Sequence, residues 1–128
     1  MAKILVIDDE EFILRYFARV LSSLKHEVLT APDSIAGCRL AKEDRTIQII
    51  FTDLTMPGEF SDVALVAELR RLRPECPLVV ISGHPTANRL AECEKLGVRD
   101  FLTKPFELGF ISGVISRLLG GAATPSSP

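Results

Sequence analysis

Two observations predict an α/β fold: a five-stranded parallel sheet with helices on both faces. Short apolar runs alternate five times with longer stretches of helical periodicity, and no hairpin turn joins one run to the next. Several runs also end at once in a polar group: Asp8 and Asp9, Asp53, Ser82, and Lys104 just beyond Phe101. Right-handed crossovers carry the ends of parallel strands to one edge, where open sheets bind ligands near a reversal of strand order.

Ile4 to Ile7 form a short β-branched strand that ends in the acids. From Glu10 to Leu24, apolar Phe12, Ile13, Phe17, Val20, Leu21 and Leu24 recur at helical spacing, which predicts an amphipathic helix. Val28 to Ala31 give a second strand, and Asp33 or Ser34 caps a helix with Ile35, Ala36, Leu40 and Ala41 on one side. Ile47 to Phe51 are the most apolar strand, leading to Thr52 and Asp53. Met56-Pro57-Gly58 signals a turn, and a helix from about Ser61 to Leu72 carries Val63, Leu65, Val66, Leu69 and Leu72. Pro74 and Pro77 fence it off, because proline removes a helical hydrogen bond and clashes with the preceding turn.

Leu78 to Ile81 are the fourth strand. Thr86 to Leu96 form a weaker helix, ended by Gly97, a residue suited to the left-handed C-cap. Val98 to Leu102 are the fifth strand, and Arg99 and Asp100 mark it as an edge. The last helix runs from about Phe106 to Leu119, with Gly109 and Gly113 each costing it up to about 1 kcal/mol. One domain thus spans residues 1–119, and residues 120–128, GGAATPSSP, read as a flexible tail or the start of a linker.

A chain of 128 residues suits one domain, and 47% apolar with 25% charged residues makes it globular. The net charge of -2, with both signs mixed along the chain, excludes the basic groove expected of direct nucleic-acid binding. Cys38, Cys76 and Cys93 are odd in number and lack CxxC spacing, as expected of reduced thiols in a cytoplasmic protein. No stretch reaches the apolar length of a membrane span, and MAKILVIDDE is too short in apolar content for a signal peptide.

Asp8, Asp9 and Asp53 come from strands far apart in sequence, and neighbouring strands would crowd them into one pocket. Like charges at close range raise a carboxylate pKa unless a cation sits among them. Magnesium fits best, since it takes oxygen ligands and pairs carboxylates with phosphate, whereas no cysteine or histidine cluster suggests zinc. Lys104 either reaches over the pocket as a point charge or is a solvated lysine before Pro105. Ser82 either donates into the pocket or caps the next helix. Any one acid taken alone is more often structural; the joint arrangement points to a site. No phosphate-loop or dinucleotide fingerprint is present, and neither His26 nor His84 is placed to serve Ser82 as a base.

The segments ILVIDDE, IIFTDLTMPG, VVISGH and VRDFLTKPF resemble, in order and spacing, the receiver domain of two-component response regulators, over Ala2 to Leu119. The resemblance implies a flavodoxin-like receiver fold and a phosphorylation-dependent signalling switch that catalyses its own phosphoryl transfer and dephosphorylation. It implies that Asp53 accepts a phosphoryl group from a sensor histidine kinase or a histidine phosphotransfer protein. Asp9 directly, Asp8 through water, Asp53 and the Thr55 carbonyl would hold Mg2+, with Mn2+ as a substitute. Ser82 would turn toward the phosphoryl oxygens, Phe101 would change its burial with that turn, and Lys104 would complete the pocket.

Departures from the family pattern fall in EFSDVAL after the turn, in Gly83 where alanine is commoner, and in Phe101, which lacks the hydroxyl of tyrosine. The fourth helix, fifth strand and fifth helix resemble the family's signalling face. Phe106, Leu108, Phe110, Ile111, Val114, Ile115, Leu118 and Leu119 exceed one buried stripe, so part of this set either packs on a partner or fills the core. An output domain after residue 128 and self-association through that face are the two expected outlets. The competing readings are a non-catalytic interaction module of the same fold, acting unphosphorylated, and a magnesium-dependent phosphatase using the same acids.

Overall fold

A computed structural model describes residues 2–56, 62–84, 86–104 and 108–120. Along them run β1 (Lys3–Ile7), α1 (Glu11–Ser23), β2 (Glu27–Ala31), α2 (Ser34–Glu43) and β3 (Ile49–Asp53). Then follow α3 (Asp62–Leu72), β4 (Leu78–Ser82), α4 (Ala87–Lys95), β5 (Asp100–Thr103) and α5 (Leu108–Gly120). The expected turn at Pro57-Gly58, the segment through Ser61, Pro105, Phe106 and the tail from residue 121 lie outside the described residues.

All five strands pair in parallel, in the order β2-β1-β3-β4-β5. The order reverses at β1, which has β2 on one side and β3 on the other, so Asp8 and Asp53 leave adjacent strands at the same edge. Successive strand residues face opposite sides, and each side has its own core. Ile4, Val6, Ile49, Phe51, Val79 and Ile81 pack with Ile13, Phe17, Val20 and Leu21 of α1 and Ile111 and Ile115 of α5. Leu5, Ile7, Ile50 and Val80 pack with Ala41 of α2, with Leu65, Val66 and Leu69 of α3 and with Cys93 of α4. The Phe17 and Phe51 rings meet with centroids 5.1 Å apart.

Several expected boundaries move for identifiable reasons. β3 begins at Ile49, not Ile47, because the Ile47 N–H turns back to the Asp44 carbonyl and the ladder with β1 starts at Ile4–Ile49. β5 runs Asp100–Thr103 because the Val98 N–H still closes the end of α4 on the Cys93 carbonyl. β5 is an edge strand, as Arg99 and Asp100 suggest. Phe12, expected on the buried stripe of α1, is 63% exposed, and Ile35 of α2 is 70% exposed. The inner face of α2 instead uses Ser34, Gly37 and Ala41, since a Cβ on Gly37 would stand 2.5 Å from Ile7 Cδ1. On α5, Ile111 and Ile115 fill the core while Phe110 and Leu119 are exposed.

Local signals at the helix ends hold. Asp33 caps α2 by accepting from the Ala36 N–H at 2.8 Å, Thr86 caps α4 by accepting from Arg89, and Gly97 adopts φ +91° after it. At the edge of the sheet where strands begin, two arginines bind loop carbonyls. Buried Arg73 donates to Ile47 O at 2.8 Å and Asp44 O at 3.2 Å, and Arg70 donates to Leu96 O at 2.9 Å and to Pro74 O and Cys76 O at 3.0 Å.

The two glycines give opposite expectations. Gly113 lies exposed in α5 with open space around its Cβ position, so Gly113→Ala should stabilise by about 0.5–1 kcal/mol. Gly37→Ala should destabilise by about 1–3 kcal/mol through overpacking against Ile7. Urea midpoints of the two variants, at unchanged slope, measure both.

Candidate functional site

Strand exits gather the polar groups. Asp53 is the last residue of β3, Ser82 the last of β4, Asp8 follows β1, and Lys104 follows β5. Each exit is fixed by the backbone: Asp8 N–H donates to Ala31 O at 3.1 Å, Leu54 N–H to Ile81 O at 2.9 Å, and Lys104 N–H to Ser82 O at 2.9 Å. Asp8, Asp53 and Ser82 are buried, whereas Asp9 is exposed at the rim. Asp9, Glu10, Asp53, Thr55, Gly83, His84 and Lys104 line a cleft of about 310 Å3. A larger groove of about 470 Å3 beside α1 and β2 holds no comparable convergence of buried acids.

Lys104 Nζ is the centre of this geometry. It lies 2.5 Å from Glu10 Oε1, 3.1 Å from Asp8 Oδ2 and 3.4 Å from Asp53 Oδ2. Carboxylate oxygens of Asp8, Glu10 and Asp53 fall within 4.8 Å of one another, three acids to one ammonium. The approach to Asp8 Oδ2 is an ion pair without hydrogen-bond alignment, and that buried oxygen accepts no hydrogen bond from the described residues. Asp8 Oδ1 accepts from the Glu10 N–H at 2.8 Å, and Asp53 Oδ1 accepts from the Thr55 N–H at 3.3 Å.

Burial, and next the charge of Asp8, push the Asp53 carboxyl up to about 6, against the pull of Lys104 and the Thr55 N–H. Asp8 is raised for the same first reason. Burial disfavours the Lys104 ammonium, but the hydrogen bond to Glu10 and the close negative charges of Asp8 and Asp53 outweigh it and raise its pKa. Lys104 is therefore a fixed cation at neutral pH, and Asp53 is the group whose charge the pocket resists.

The family described as the response regulator receiver domain matches residues 4–115. The chain belongs to this family. A receiver domain protein from Clostridium thermocellum superposes with a TM-score of 0.87 at 31% identity, covering 94% of this chain and 95% of that one. The DNA-binding transcriptional regulator NtrC of Azospirillum brasilense is 29% identical over 98% of this chain but only 26% of its own length. The transcriptional regulatory protein PrrA of Mycobacterium bovis is 32% identical over 98% of this chain and 54% of its own length. The chain thus spans about a quarter to a half of these curated relatives.

In this receiver domain Asp8, Asp53 and Lys104 come together as the sequence suggests. Ser82 stands beside them, its Oγ accepting from the His84 N–H at 3.2 Å. Half-buried Phe101 pairs with Val80 on β4 and packs against the core behind the site. Asp9 is not part of the acid cluster; Glu10 is. Sequence reasoning missed Glu10, although glutamate is a poor N-cap and Glu10 occupies that position before α1 with no side-chain cap bond. It also missed Arg89, which spans from α4 to Thr55 Oγ1 at 3.2 Å and to Asp62 Oδ2 at 2.9 Å.

A pH dependence of stability follows. The folded Asp53 holds its proton up to about pH 6, above the ordinary value of 3.8, so its contribution is present at low pH and is lost as pH rises from about 4 through about 6. With a chelator present, Asp53→Asn should be more stable than the parent by about 2 kcal/mol at pH 7.5, with the gap closing toward pH 4. Urea unfolding across that range measures it, and parallel profiles contradict it.

Proposed function

We propose that the chain is a phosphorylation-dependent switch in which Asp53 accepts a phosphoryl group from a phosphohistidine on a sensor histidine kinase or phosphotransfer protein. The observation that carries this reading is the pair of buried carboxylates, Asp53 and Asp8, reached by one ammonium, that of Lys104, beside the reversal of strand order. The receiver family supplies the donor class; the whole protein's output belongs to the part of such regulators beyond residues 1–119.

An all-oxygen donor set that includes the orphaned Asp8 Oδ2 fits a hard divalent cation such as Mg2+, with Mn2+ in its stead. Asp8 and Asp53 from the acid cluster, with Asp9 from the rim of the cleft and the Thr55 carbonyl, would hold it. When bound, Mg2+ supplies positive charge that offsets the acids and the phosphoryl oxygens. The Asp53 carboxylate attacks phosphorus in line, the P–N bond to the donor imidazole breaks, and its electron pair leaves with the nitrogen. Lys104 neutralises the equatorial oxygens. Ser82 exchanges its contact with the His84 N–H for a phosphoryl oxygen, and Phe101, next to Ser82's strand, shifts its packing. Water attack at phosphorus breaks the P–O bond to Asp53, releases inorganic phosphate and restores the carboxylate.

The surface of α4, β5 and α5 is the outlet of this switch. Phe110, 62% exposed on α5, also favours a second reading, an interaction module that docks without phosphorylation. A cytoplasmic location agrees with free Cys38, Cys76 and Cys93 and with the absence, among the described residues, of a helix long and apolar enough to cross a membrane.

Incubation with Mg2+ and acetyl phosphate or phosphoramidate should add one phosphoryl group, seen by intact mass and absent from Asp53→Ala. Lys104→Met should slow its formation by roughly 10–100-fold. No adduct under any such condition overturns the switch. An adduct that leaves partner binding or self-association unchanged favours the phosphorylation-independent module.

A further inference from the structure

Glu10 has no assigned role, yet its carboxylate makes the shortest contact in the site, 2.5 Å to Lys104 Nζ. Its backbone N–H is held by Asp8 Oδ1 at 2.8 Å, and its φ of -90° and ψ of 113° place it just before α1. At that position a side chain would ordinarily serve the free N–H groups of the helix. Glu10 makes no such cap bond and turns its carboxylate into the pocket.

The Lys104 backbone is fixed by its N–H bond to Ser82 O, so its contacts change only by movement of the side chain. Around its ammonium stand Asp8 at 3.1 Å and Asp53 at 3.4 Å, both farther than Glu10. A phosphoryl group on Asp53 brings about two negative charges next to the ammonium. The ammonium has three N–H donors and is already shared among Glu10, Asp8 and Asp53, so a phosphoryl group on Asp53 competes with Glu10 for it. Glu10 is 44% exposed at its side chain, so once released it is solvated at little cost.

We propose that Glu10 is the resting counter-ion of Lys104, a positioning residue that holds the ammonium until a phosphoryl group on Asp53 takes it over. This rests on the reading of Asp53 as the phosphoryl acceptor. Glu10 competes with the phosphoryl group for Lys104 and thereby sets how readily the domain is activated. Its length matters as well as its charge, because an aspartate at this position falls one methylene short of Lys104.

Beryllofluoride with saturating Mg2+ is the probe, its binding followed by 19F NMR and the Lys104 ammonium by 15N-lysine NMR. Glu10→Gln and Glu10→Asp should each bind beryllofluoride about 3–10-fold more tightly than the parent, and Glu11→Gln, one residue on, should differ by less than about twofold. The Lys104 resonance of Glu10→Gln should differ from the parent at rest and converge with it when beryllofluoride is bound. Three results overturn the proposal: an unmoved resting resonance, a difference that persists unchanged in the bound state, or Glu10→Asp binding like the parent, which assigns Glu10 to general charge alone. A parent that binds no beryllofluoride overturns the Asp53 reading and the handover together. A parent that binds it equally with both variants leaves Asp53 as the acceptor and removes only the role of Glu10.

Discussion

Two buried carboxylates on adjacent strands, Asp8 after β1 and Asp53 at the end of β3, are the constraint on which the pocket depends. Their crowding has an electrostatic cost that one ammonium only partly offsets, because Lys104 is shared among three acids. A protein concerned only with stability would place apolar groups there. The fold accepts the cost beside the reversal of strand order, where open parallel sheets leave a crevice beyond their strand ends. A bound cation would lower that electrostatic cost, whereas added negative charge at Asp53 would raise the demand on Lys104.

The path outward from the pocket runs through short links. Lys104 N–H on Ser82 O ties the exit of β5 to that of β4, and Ser82 Oγ engages the loop that leads to α4. Arg89 closes the other side by joining α4 to Thr55 and Asp62. A change at Asp53 thus meets α4 along two routes, one through Ser82 and one through Thr55. Family membership supplies the chemistry expected at Asp53, whereas Glu10 and Arg89 are features of this chain's own side chains.

Much of the fold was legible because strand runs and helical periodicity are local. The polar groups at strand exits were legible because a parallel sheet maps sequence position directly onto one edge. Phe12 and Ile35 were misread for a shared reason: each lies next to the inward stripe, about 100° around the helix from it. On α2 the inward stripe is made of small residues, since close approach to β1 leaves no room for large ones, and apolarity alone points elsewhere. Glu10 was passed over beside two aspartates that already explained the acidity. Only the three-dimensional reach of Lys104, from 94 residues away in sequence, singles it out.

The two arginines at the opposite edge give the molecule two unlike rims. Arg73 and Arg70 knit the loops before β3, β4 and β5 through carbonyls that belong to no helix or strand ladder. At the pocket edge, by contrast, the cross-links are acidic side chains gathered on one ammonium, that of Lys104. The two rims thus differ in kind: at the base arginines hold main-chain carbonyls, and at the lip side chains hold one another. Sequence drift at the base would register as altered protein abundance, and drift at the lip as altered timing of the signal.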